Sequence, residues 1–260
     1  MRQLTDIDVV VFDVLGTLVD EATGLRTAVR EAIPDADVRQ VQSLAQDWQR
    51  FVADQQTEIA EGRRAYVDSE VLDAEAALHV LAAAAALGIA VAPGVTTTPD
   101  VATAPGASVE LAATNEVGAA SDTVARLATA SRRLLPWPDS VAGLERIAAR
   151  VPILALSNAA PTTLLHLAAL TGLRWHHAVT AHEVAAYKPA PALYRRAVQV
   201  ADRAPERILM VAAHAWDLRA AQDAGMRTCY VDRPVGDPPT ASDRFDASVA
   251  GLDELMTSLG

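Results

Sequence analysis

The chain has 260 residues, 51% of them hydrophobic and 21% charged. This is the make-up of a soluble globular protein, with room for one large α/β domain or a core domain carrying a smaller insert. A formal net charge of −11 works against binding a nucleic-acid backbone, which needs a basic footprint, but leaves open a small anionic substrate held by a few local cations. The single cysteine, Cys229, cannot form an intramolecular disulfide or a thiolate metal cage. In the apolar run Thr228-Cys229-Tyr230-Val231 it reads as a buried structural thiol.

The first apolar segment is only about six residues long, too short for a signal peptide's apolar region or a membrane span. The alanine-rich stretch over 80–93 is also too short and is interrupted by Gly88. A cytoplasmic protein without membrane contact is expected.

In chain order, the β-branched and aromatic run at 9–12 predicts a strand buried on both faces, ending at Asp13 and turning through Gly16 and Thr17. A long helical stretch follows. Residues 41–59 place Leu44, Trp48 and Val52 on one helix face, and a further helix is expected over 73–87. The Pro-, Gly- and Ala-rich segment over 93–108 predicts a loop or flexible linker, and helix returns over 110–133. Buried strands are then predicted at 152–156, 208–211 and 227–231. Helices are predicted over 138–149, 161–171, 191–202 and 216–225, with Gly172 and Gly225 at the expected C-caps. Strands alternating with helices imply an α/β fold: a Rossmann-like parallel-sheet core with a helical cap domain inserted after the first strand. The expected core is 1–19 with 136–260, and the expected cap is 20–135. Such a cap would lie over the mouth of the sheet and exclude water. Chemistry in parallel sheets collects at the carboxyl ends of strands, where Asp13, Ser157, Asn158 and Asp217 all fall.

The segment Phe12-Asp13-Val14-Leu15-Gly16-Thr17-Leu18 resembles the first signature of the haloacid dehalogenase superfamily, Asp-x-x-x-Thr with a glycine before the threonine. Ser157-Asn158 is similar to the second signature, Lys188-Pro189 to the third and Asp217 to the acidic fourth, in the family's order. Phosphatases of the superfamily carry an aspartate just past the nucleophile to protonate the leaving alcohol. Val14 and Leu15 follow Asp13 here. They also place an acidic magnesium ligand about four positions before the last aspartate, where this chain has Ala213. A departing halide needs neither a proton nor a metal, so a bare carboxylate is a suitable nucleophile. The finer matches agree. Tyr187-Lys188-Pro189 followed by Tyr194, then Ala215-Trp216-Asp217, and the return segment through Trp137-Pro138-Asp139 resemble the L-2-haloacid dehalogenases.

The resemblance implies that Asp13 displaces halide from C2 of a short L-2-haloacid, leaving an ester, with no metal and no cofactor. It implies that Lys188 and Thr17 orient the nucleophile, and that Ser157 with the backbone N–H of Val14 receives the substrate carboxylate. Asn158 and a cap arginine would receive the halide. Asp217, with no metal on it, would orient or deprotonate the hydrolytic water. Tyr194 and Trp216 would line the pocket, and the assembly would be a homodimer. The match breaks at three places. Leu15 stands where a tyrosine is common, and Ala212 and His214 replace a serine and an asparagine. His214 could take over the asparagine's hydrogen bonds and make activity pH-dependent. The halide arginine usually follows a cap tryptophan directly, but Gln49 follows Trp48. Arg50, Arg63 and Arg64 therefore remain candidates. Two other readings stay open: a magnesium-dependent small-molecule phosphatase, and a catalytically silent carboxylate-binding protein.

Overall fold

A computed structural model describes residues 4–91 and 115–259; the expected linker over 93–108 and the start of the helix expected from 110 lie outside them. The chain divides into two compact units. One joins the chain up to Glu21 with the chain from Arg132 onward, and the other is Ala22–Ser131. The divisions fall two to four residues from the sequence boundaries at 19/20 and 135/136. The chain enters through strand β1 (Val9–Asp13), buried throughout.

The second unit is helical. Helix α1 (Glu21–Ala32) leads into α2 (Val38–Ala60), α3 (Ser69–Ala86) and α4 (Asn115–Ala128). Helix α2 begins three residues earlier than periodicity implied, because Asp37 and Gln40 form a capping box. The Asp37 side chain accepts the backbone N–H groups of Arg39 and Gln40, and Gln40 returns a bond to the Asp37 N–H at 2.7 Å. Such a cap contributes about 1 kcal/mol. Leu25, Val29, Leu44, Trp48, Val80 and Leu81 meet in this unit's own apolar core.

The other unit continues with α5 (Ser140–Ala148), β2 (Ile153–Ser157), α6 (Pro161–Thr171), β3 (His177–Thr180), the short α7 (Ala181–Val184) and α8 (Pro191–Ala201). Then come β4 (Ile208–Ala212), α9 (Ala215–Asp223), β5 (Arg227–Val231), β6 (Ala247–Val249) and α10 (Leu252–Ser258). All six strands are parallel, in the order β3-β2-β1-β4-β5-β6. Side-chain alternation divides the strands between two apolar layers. Val10, Phe12, Ile153, Ala155, Leu209 and Val211 pack on one face with Leu144, Leu167 and Leu252. Val9, Val11, Leu154, Leu156 and Met210 pack on the other with Leu193, Tyr194 and Leu218. Cys229 is buried within the first layer; burial, then the charges of Glu254 and Asp246, push its thiol up to about 12, which keeps it unreactive.

From β1 the strand order runs outward to β2 and β3 on one side, and β4, β5 and β6 fill the other. The reversal between β1 and β4 opens a crevice at their carboxyl ends. Register places Asp13 beside Leu156, one residue short of Ser157, and Phe12 beside Val211. The ends of three central strands therefore converge. Among the described residues, no helix is long and apolar enough to cross a membrane.

Candidate active site

Asp13 is the last residue of β1, and the backbone turns immediately after it. Gly16 supplies the turn with φ of 77°, a left-handed conformation that L side chains rarely adopt. The turn brings Thr17 back over the strand end. Its Oγ1 donates to Asp13 Oδ2 at 2.6 Å and accepts the Ala213 N–H at 2.9 Å, tying the turn to the end of β4.

The other Asp13 oxygen faces Lys188. Lys188 Nζ lies 2.9 Å from Asp13 Oδ1 and 2.6 Å from Asp217 Oδ2, so one ammonium bridges two carboxylates. Tyr194, on α8, donates to the remaining Asp217 oxygen at 2.5 Å. Thr17, Lys188, Tyr194 and Asp217 are buried, and Asp13 is 6% exposed. Burial works against the lysine charge, but the two carboxylates outweigh it and hold Lys188 protonated. Burial pushes the Asp217 carboxyl upward, with Lys188 opposing. Burial and then the Asp217 charge keep the Tyr194 hydroxyl protonated. The cluster thus sets two carboxyl groups around one cation, and of their side chains Asp13 reaches furthest toward solvent.

Ser157 ends β2 and is fully buried. Its Oγ accepts the Ala159 N–H at 3.1 Å, an arrangement that leaves the hydroxyl proton to donate. Asn158 Oδ1 accepts the Lys188 N–H at 2.8 Å, fixing the lysine segment to the end of β2. Val14 is buried behind the nucleophile, and Leu15 is half-buried two positions past it. His214 caps α9. Its Nε2 lies 4.0 Å from Asp13 Oδ2 and 3.3 Å from the Leu15 carbonyl, and its ring stacks on the 36%-exposed Trp216 at 5.8 Å. The structure therefore brings together Asp13, Thr17, Ser157, Asn158, Lys188, Tyr194, His214, Trp216 and Asp217.

The three arginines considered for the halide belong to the helical unit, and each already has a carboxylate partner. Arg50 pairs with Asp47, Arg63 with Glu58 and Glu61, and Arg64 with Glu75, 2.7 Å away. A halide would have to compete with these carboxylates.

Sequence reasoning missed the support behind the turn. Arg233, just past β5, donates from Nε to the Thr17 carbonyl at 3.0 Å, pairs with Asp139 at 2.9 Å and lies over the Trp137 ring. Trp137 Nε1 donates to the Gly16 carbonyl at 3.0 Å. The usable signal was position: Asp232-Arg233 follows a buried strand at the same sheet end as the nucleophile.

No cluster of three His, Cys, Asp or Glu side chains with metal-holding geometry occurs among the described residues. The donor set around Asp13 does not fit a hard dication. Leu15 and Ala213 offer no side-chain oxygen, and the Lys188 ammonium takes the place between the two carboxylates.

A family model described as haloacid dehalogenase-like hydrolase matches residues 7–225. A curated (S)-2-haloacid dehalogenase from a Pseudomonas species is 29% identical over 127 residues, 48% of this chain and 56% of the relative. The chain thus spans a little over half the length of that relative in the match. Over nearly the whole chain it is similar to the crystal structure of a defluorinating L-2-haloacid dehalogenase. That likeness has a TM-score of 0.77 and 30% identity, and covers 97% of this chain and 95% of the other. The fold is also that of the L-2-haloacid dehalogenase from Xanthobacter autotrophicus solved with chloropropionic acid covalently bound, at TM-score 0.71 and 22% identity, over 96% of this chain and 97% of that one.

Proposed function

The chain belongs to the haloacid dehalogenase-like hydrolase family, and within it we propose hydrolytic dehalogenation of short L-2-haloacids to 2-hydroxy acids through an ester on Asp13. The observation that carries this reading is the state of Asp13. Its two oxygens are held by Thr17 and Lys188, and neither Val14 nor Leu15 after it can protonate a leaving group as a phosphatase's aspartate does.

In the first half-reaction an Asp13 oxygen attacks C2 while the carbon–halogen bond breaks. The electron pair leaves with the halide, so no proton is required. Thr17 and Lys188 fix the carboxylate for in-line approach, and orientation of this kind is worth several kcal/mol of barrier. The Ser157 hydroxyl and the Val14 N–H receive the substrate carboxylate. Asn158 and one of Arg50, Arg63 and Arg64 receive the halide. Leu15 and Trp216 set the pocket's apolar wall. In the second half-reaction water attacks the ester carbonyl carbon, Cγ of Asp13, and the Cγ–O bond to the substrate breaks. The 2-hydroxy acid departs, one proton is released and the carboxylate is restored. Homodimeric assembly, which rests on the family resemblance, and a cytoplasmic location belong to the same proposal.

The test is halide release from L-2-chloropropionate and haloacetates in chelator, with Asp13→Asn as the inactive control. One turnover in heavy-oxygen water should place label in the Asp13 carboxylate. Phosphate release from phosphoesters that requires added magnesium, with no halide from any haloacid, would instead establish a phosphatase.

A further inference from the structure

Thr17 directs the nucleophile with its hydroxyl, and the placement of Thr17 is itself set by a residue outside the four signatures. We propose that Arg233 is a positioning residue for the displacement step. Its guanidinium holds the Thr17 carbonyl, and through it the hydroxyl that directs Asp13. The inference rests on the dehalogenase reading above.

Arg233 follows β5, and β4 lies between β5 and the strand that carries Asp13. A long side chain is needed to cross that interval. The Arg233 side chain is only 6% exposed, so its charge is carried into the interior. Nε donates to the Thr17 carbonyl at 3.0 Å, and among the described residues this is the one hydrogen bond the guanidinium makes. Nη1 lies 2.9 Å from Asp139 Oδ1 without the alignment of a hydrogen bond, and Nη2 is buried with no partner. The other Asp139 oxygen accepts the Leu252 N–H at 2.8 Å. Stability does not account for such a group. A buried ion pair gives little net stability over apolar side chains of the same volume, and a buried donor left unmet adds a cost. What a guanidinium supplies here, and an apolar side chain does not, is a rigid donor aimed at one carbonyl.

That carbonyl is the middle one of three held in succession. Trp137 Nε1 donates to the Gly16 carbonyl at 3.0 Å, Arg233 to that of Thr17, and the Trp137 backbone N–H to that of Leu18 at 3.1 Å. The arginine also lies over the Trp137 ring, 5.6 Å from its centre. The Thr17 hydroxyl accepts the Ala213 N–H and donates to Asp13 Oδ2. Ala213 is held in turn by the segment that Arg233 begins, for its carbonyl accepts the Asp237 N–H at 2.9 Å. Gly236 permits this approach, since a Cβ there would fall 2.4 Å from the Ala213 carbonyl. Residues 233–237 thus fix Thr17 at both its carbonyl and its hydroxyl. A shift of that hydroxyl loosens the 2.6 Å bond that sets the angle of the attacking carboxylate, and in-line displacement is sensitive to such a shift.

Rapid-quench single turnovers at varied L-2-chloropropionate give the rate of halide release and the half-saturating concentration separately. Arg233→Met leaves Asp139 without its cation, so it is combined with Asp139→Asn, which keeps an oxygen for the Leu252 N–H. This double variant should melt close to wild type yet release first-turnover halide about 10- to 100-fold more slowly. Its half-saturating concentration should stay within about threefold, because Ser157 and Val14, which receive the substrate carboxylate, are untouched. Arg233→Met alone serves as a second variant, with the same slowing per folded molecule and a lower melting temperature. Added to Thr17→Val, the double substitution should slow release less than about threefold further, since the bond through which Arg233 acts is already absent. Halide release by the double variant at the wild-type rate overturns the proposal. So do losses that multiply in the Thr17→Val background, or a slowing matched by an equal loss of binding; either would make Arg233 a general support of the fold. A wild-type enzyme that releases no halide at all would instead bring down the dehalogenase reading, and this inference with it.

Discussion

Replacing Lys188 with methionine keeps the stem and removes the charge that bridges Asp13 and Asp217, 2.9 and 2.6 Å away. All three groups are buried, so solvent does not take over the lysine's role. Breaking a buried pair by deleting one partner costs about 3–5 kcal/mol, because the remaining charge is left uncompensated. For a unit of this size that lowers the melting temperature by on the order of 10 °C. The loss should depend on pH with a definite sign. Burial already raises the Asp217 carboxyl and Lys188 opposes it, so without the lysine the folded-state value rises further above the unfolded one. The folded variant then binds more protons than the unfolded chain, and its stability grows as pH falls. Thermal melts of wild type and Lys188→Met at about pH 8 and about pH 5 should show a deficit that shrinks in acid. Halide release should be lost at both. A deficit that stays constant or deepens in acid would refute the reasoning, as would turnover within tenfold of wild type.

Tyr194→Phe leaves the Asp217 oxygen 2.5 Å away without its donor; we expect a loss of about 1.5–3 kcal/mol in thermal melts and slower halide release. Thr17→Val keeps shape but strips Asp13 of a donor and Ala213 of an acceptor. It should cost about 2–4 kcal/mol and slow first-turnover halide release roughly 100-fold, with Thr17→Ser recovering most of both. Gly16→Ala forces a side chain into φ of 77° and against His214. It should cost about 1–2 kcal/mol by denaturant titration.

The parts of this fold legible in the sequence are those where burial forces a pattern. The runs at β1, β2, β4 and β5 are buried on both faces and admit almost nothing but β-branched and apolar residues. Strands β3 and β6 escaped notice for the converse reason. His177–Thr180 is exposed at its first residue, and Ala247–Val249 is an edge strand of three residues, so neither carries a long apolar run. In the site, Asp13, Lys188 and Asp217 were legible because their spacing and strand-end positions match a known arrangement. Lys188 lies 175 residues from Asp13 and 29 from Asp217, so only the sheet order brings the three together. Arg233 lies 216 residues from its Thr17 partner and belongs to no family signature, so its place just past a buried strand was the one sequence signal for its role.

Apart from Gln49 in the helical unit, the departures from the L-2-haloacid dehalogenase pattern fall together. Leu15 and His214 touch each other through the Leu15 carbonyl, and Ala212 ends the strand that leads into His214. The frame of Thr17, Lys188, Tyr194 and Asp217 around Asp13 is intact. A frame that fixes the nucleophile serves the displacement step, whose demands on geometry are strict. The altered corner adjoins the edge of Asp13 that water must reach in the second step. Within the sheet unit, variation confined to that corner is what would follow if this protein kept the family's way of forming the ester and changed its way of hydrolysing it. In that case Leu15→Tyr combined with His214→Asn should change the rate of ester hydrolysis more than that of first-turnover halide release. Rapid-quench measurement of both steps checks it, and a double variant that loses both steps equally would show the corner to be part of the frame.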